Sequence, residues 1–145
     1  CYPFYVLKLL GVEQVVLTIV ITTGWVSMLV ARDHTMDYNG GVAHAFYYGL
    51  CSLPGFADDE KRLHGVVVAL GVLMLLLVDG REGECRQLQD FNRTVNLPTC
   101  LQDVDITVDD VRRAAPEILR DADLEHYPYQ VTEDMLVRAA EKLAS

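Results

Sequence analysis

Two histidines on separate helical stretches, His44 and His64, are the residues of this chain best suited to chemistry. His44 follows Tyr38-Asn39-Gly40-Gly41-Val42-Ala43, and His64 opens the run His64-Gly65-Val66-Val67-Val68-Ala69-Leu70-Gly71. An imidazole in apolar surroundings must have its nitrogens satisfied, because a buried unpaired polar group costs free energy. A divalent metal is one economical partner, since neutral imidazole is a common ligand. Two imidazoles alone leave such a site incomplete. Tyr47 and Tyr48 share a helical face with His44, one turn on. They can donate hydrogen bonds to a substrate oxygen or simply pack, and aromatics on a buried face more often pack. Taken alone, His44 is more often a hydrogen-bonded core histidine than a ligand, and His64 more often a helix-start residue.

The elements that must position these side chains read as helices. Val15 to Ala31 is apolar with β-branched interruptions and is read as a buried core helix. A run of that length also fits a bilayer, which keeps a membrane-span alternative open. A polar loop over Ala31 to Asn39 follows, and Gly40-Gly41 lets the backbone turn into a helix ending near Leu53. Pro54, Gly55 and Asp58-Asp59-Glu60-Lys61-Arg62 form a solvated connector to a helix from about Lys61 to Val78, stopped by Asp79-Gly80. Arg81 to Val95 is amphipathic, with Cys85, Leu88, Phe91 and Val95 on its inward face. Thr107 caps the next helix, Pro116 ends it and opens a short one to Leu119, and Thr132 caps the last. No sustained period-two alternation occurs. The chain is expected to be all-α, a bundle-like single domain over 1–145.

Composition narrows the partners. The 145 residues suffice for one core. A net charge of −9 from 21 acidic against 12 basic side chains excludes nucleic acid as a partner. It also disfavours an anionic membrane surface. The acidic residues gather after Asp103, so a buried first half and a solvated second half are expected. Cys1, Cys51, Cys85 and Cys100 have no paired short spacing and read as reduced thiols of a cytoplasmic protein. No signal peptide is evident, and the chain, which opens on Cys1, is read as a piece of something longer.

With these residues in order, the chain resembles the glycerol dehydrogenase branch of the iron-containing alcohol dehydrogenases, which share a fold with dehydroquinate synthase. The likeness rests on Gly40-Gly41-Val42-Ala43-His44-Ala45 and His64-Gly65 before an apolar helix. It continues through Phe91 to Leu97-Pro98-Thr99, Asp103-Val104-Asp105-Ile106 and the final helix capped by Thr132. The resemblance implies the second, helical domain of a two-domain enzyme, without the N-terminal nucleotide-binding domain. His44 and His64 match two histidine ligands of zinc or iron, and a third, aspartate ligand would lie upstream of this sequence. Asp33 and Asp37 stand too close to His44 to match it. The implied activity is oxidation of a small alcohol or polyol, with hydride passing to NAD(P) bound by the missing domain and with the isolated chain inactive. A homo-oligomer is also implied. The chain departs from the family at Val66-Val67, where Glu-Lys is common, and at Tyr47 and Tyr48, where a further histidine is usual. The competing reading is a non-enzymatic all-α interaction module with structural histidines.

Overall fold

The computed structural model describes residues 11–30, 41–125 and 127–144, and these divide into two units that meet between Asn39 and Gly40. The loop read over 31–39, with His34, Asp33 and Asp37, lies outside the described residues, as do Cys1 and His126.

The first unit contributes one helix, α1, over 11–30, with a π-helical turn at Ile19–Thr23. The Thr18 hydroxyl donates to the Gln14 carbonyl at 2.8 Å, a local bond open to threonine inside helices. The helix read as a buried core element is present, but its apolar side chains are exposed, Trp25 at 65%. The stretch Gly11–Leu29, mean hydropathy 1.6, is long and apolar enough to cross a membrane.

The second unit is a helical bundle. Its elements are α2 (Val42–Cys51), α3 (His64–Val78), α4 (Glu82–Thr94), α5 (Val108–Ile118) and α6 (Glu133–Lys142), joined by short 3₁₀ turns. No strand occurs among the described residues, so the all-α expectation holds. The core draws on every helix, including Phe46, Leu70, Met74, Ile118, Leu136 and Leu143. The acidic half therefore supplies core as fully as the neutral half, contrary to the expected division. Helices need only one apolar stripe, and α5 and α6 keep their charges on the opposite face.

Glycines set the helix spacing. A Cβ added to Gly71 would lie 2.6 Å from the Ala43 carbonyl oxygen and 2.8 Å from its Cα. A Cβ on Gly49 would lie 2.8 Å from the Ile118 amide nitrogen. So α2 runs in backbone contact with α3 on one side and α5 on the other, and Ala43, the neighbour of His44, sits at the first of these crossings.

Terminal signals explain the boundaries. Gly41 accepts from the His44 and Ala45 amides at 3.0 and 2.9 Å, opening α2. Asp79 and the left-handed Gly80 (φ 72) close α3, with the Arg81 amide reaching back to Leu76 at 2.7 Å. Thr107 and Asp110 form a reciprocal capping box at the start of α5. The expected break at Pro116 is corrected, since α5 runs through it to Ile118. The proline removes one amide close to the helix end, where buried Ala115 and Ile118 hold the turn. On the expected inward face of α4, Cys85 is buried and Leu88 packs against the core, but Phe91 and Val95 are corrected to exposed positions, and Asn92 is buried instead. The Asn92 amide donates to the Pro98 carbonyl at 2.9 Å.

Asp103 organises the turn after α4. Its carboxylate accepts from the Thr99 amide at 2.7 Å, the Thr99 hydroxyl at 3.1 Å and the Cys100 amide at 3.2 Å. The Thr99 amide foremost holds this carboxyl below its ordinary value. A carboxyl lowered in the folded state stabilises above its unfolded pKa, and loses that contribution as pH falls through the folded one. Asp103→Asn is expected to lower the urea midpoint at about pH 6 and to flatten its decline toward about pH 3. Parallel declines in both proteins would refute this.

Candidate functional site

The bundle brings His44, His64, Tyr47 and Tyr48 into one cluster. The first, third and fourth project from α2, and His64 is the first residue of α3. The imidazole centres lie 5.6 Å apart with planes tilted by 44°. Tyr47 meets His64 edge-to-face at 4.5 Å and 86°. Tyr48 stands 6.3 Å from His44 and 6.4 Å from His64. Twenty residues of sequence therefore close into one ring cluster, because the Ala43–Gly71 contact fixes how α2 crosses α3.

The His64 end of the cluster is held by the connector. The Arg62 guanidinium donates to the Val104 carbonyl at 3.1 Å and the Asp105 carbonyl at 2.9 Å, and lies 4.8 Å over the Phe56 ring. Lys61 pairs with Asp105 at 2.7 Å. The stretch read as a solvated connector thus makes specific contacts on both sides of Arg62. Leu63, which precedes α3, gives it no side-chain cap. Sequence reasoning missed the two hydrogen bonds of Arg62, because their partners lie more than forty residues away and are main-chain oxygens.

His44 is half-buried and His64 exposed. Neither ring is hydrogen-bonded to another described residue, so both keep nitrogens available. Two imidazoles bound about 2 Å from one ion hold their ring centres roughly 5–6 Å apart. The observed 5.6 Å fits that arrangement. No group of three or more His, Cys, Asp or Glu side chains that could hold a metal occurs among the described residues. The pair is therefore a two-nitrogen donor set where zinc takes three or four protein ligands.

The two tyrosines differ. Tyr47 is half-buried and packs against the core. A hydrogen bond with the Cys51 thiol one turn on, together with burial, keeps its phenol above the ordinary value. Tyr48 is 51% exposed and lines a surface depression of about 300 Å³ with Gly49, Ser52, Glu117, Arg120 and Asp121. Cys51, Cys85 and Cys100 are free thiols.

Sequence comparison finds similarity to a dehydrogenase. The relative is hydroxycarboxylate dehydrogenase A of Escherichia coli (strain K12), 32% identical over 107 residues. The match takes in 71% of this chain and 29% of that protein, so the chain spans less than a third of the relative's length. No family model and no solved structure matches the chain.

Proposed function

We propose that this chain is the helical, metal-binding part of a glycerol dehydrogenase-like enzyme that oxidises a small alcohol or polyol with NAD(P). The observation that carries the reading is the approach of His44 and His64, 5.6 Å apart, with no protein hydrogen bond from the described residues to either ring.

His44 and His64 would hold zinc or iron, with the remaining ligand from a carboxylate outside the described residues. When bound, the ion supplies Lewis acidity toward a substrate hydroxyl. The chain's own residues then have separate tasks. His44 and His64 would supply the ligand nitrogens, and the exposed Tyr48 offers a hydroxyl donor beside them. The nicotinamide would be bound by a separate nucleotide-binding domain, and the whole protein would be a cytoplasmic homo-oligomer. The name of the relative adds a second substrate class, a hydroxycarboxylate, which carries a hydroxyl and a carboxylate in one molecule.

Zinc titration of the purified chain by calorimetry tests this. Weak binding, lost in His44→Ala, is expected, because two nitrogens make an incomplete site. Tight binding indifferent to His44→Ala would sink the assignment, as would no binding at all. The same chain supplied with NAD and a panel of alcohols is expected to show no turnover.

A further inference from the structure

We infer that Tyr47 is the positioning residue of the imidazole pair, fixing the ring plane of His64, while Tyr48 alone is the phenol presented to substrate. The inference rests on the reading of His44 and His64 as a metal pair, and it divides two tyrosines that sequence spacing treats alike.

His64 needs an external support. It begins α3 without a side-chain cap behind it, it is exposed, and no described residue hydrogen-bonds its ring. A ring so placed rotates about its side-chain bonds unless a neighbour packs on it. Three rings approach it, and Tyr47 is nearest at 4.5 Å, against 5.6 Å for His44 and 6.4 Å for Tyr48. Its 86° inclination is the edge-to-face arrangement that aromatic quadrupoles prefer. Tyr47 is itself fixed by packing on the core.

Tyr48 has the opposite character. It is half exposed, its hydroxyl has no hydrogen-bond partner among the described residues, and it borders an open depression. A hydroxyl donor uncommitted among the described residues, on a ring 6.3 Å from His44 that also borders an open concavity, is placed to meet an incoming oxygen.

The experiment measures zinc affinity of the full chain by calorimetry for wild type, Tyr47→Phe, Tyr47→Leu and Tyr48→Leu, with circular dichroism to confirm folding. Tyr47→Phe keeps the ring and is expected to bind zinc within about twofold of wild type. Tyr47→Leu is expected to weaken binding roughly three- to tenfold, the range of an edge-to-face contact. Tyr48→Leu is expected to leave zinc affinity unchanged. A second readout needs no substitution: in metal-free wild type, NMR should show Overhauser contacts between the Tyr47 and His64 rings that persist after zinc is added. Equal affinity of Tyr47→Leu and wild type overturns the inference, as does absence of those contacts. If wild type ignores zinc, or binds it independently of His44 and His64, the metal reading fails first and takes this inference with it.

Discussion

Gly71→Ala is expected to lower the melting temperature by about 2–10 °C and to weaken zinc binding together with it. Two effects of opposite sign compete at this position. Alanine in a helix interior is better than glycine by about 1 kcal/mol. Against that, the new methyl would meet the Ala43 carbonyl oxygen at 2.6 Å and its Cα at 2.8 Å, both of them backbone. Backbone cannot swing aside as a side chain does, so the helices must separate. Overpacking of this kind costs about 1–3 kcal/mol, and the steric term wins. Gly65 is the control, because a Cβ there meets nothing within 4 Å in the same helix. Gly65→Ala should therefore be neutral or stabilising. Since Ala43 adjoins His44, pushing α3 from α2 also displaces one imidazole from the other. Equal melting temperatures for Gly71→Ala and Gly65→Ala would refute the close-packed crossing.

Removing either imidazole should abolish measurable zinc binding, and removing both should do no more. Loss of a supporting partner of a metal ligand already costs about 10–100-fold in affinity, and loss of one of only two donors should exceed that. The effects of His44→Ala and His64→Ala are then strongly non-additive, the mark of two side chains acting on one ion. Stability should move little, by under about 1 kcal/mol, because His64 is exposed and neither ring takes part in a protein hydrogen bond among the described residues. Calorimetry of the two singles and the double, with urea titrations alongside, separates metal from fold. Additive losses, or a collapse of stability that tracks them, would make the histidines structural.

Local chemistry made much of the bundle readable in advance. Thr107 and Thr132 cap α5 and α6 as their side chains dictate, and Asp79-Gly80 stops α3. Pro116 misled, because the cost of its missing amide toward the carbonyl four residues back is offset by the burial of Ala115 and Ile118 around it. Phe91 misled because hydrophobicity alone placed it inward. The buried residue is Asn92, whose amide has a carbonyl waiting at Pro98. The pairing of His44 with His64 was anticipated from family resemblance; its physical cause, the missing Cβ of Gly71 against Ala43, is a long-range contact that no local pattern encodes. The difference between Tyr47 and Tyr48 was equally hidden, since adjacent residues on one helix differ in burial only once their neighbours are known.

Arg62 has one more consequence. Its guanidinium holds the Val104 and Asp105 carbonyls and covers Phe56 through contacts made entirely within the protein. The entropy of ordering the segment that leads into His64 is therefore lost when the chain folds. An arriving ligand meets a turn already in place, and more of its interaction energy remains as affinity.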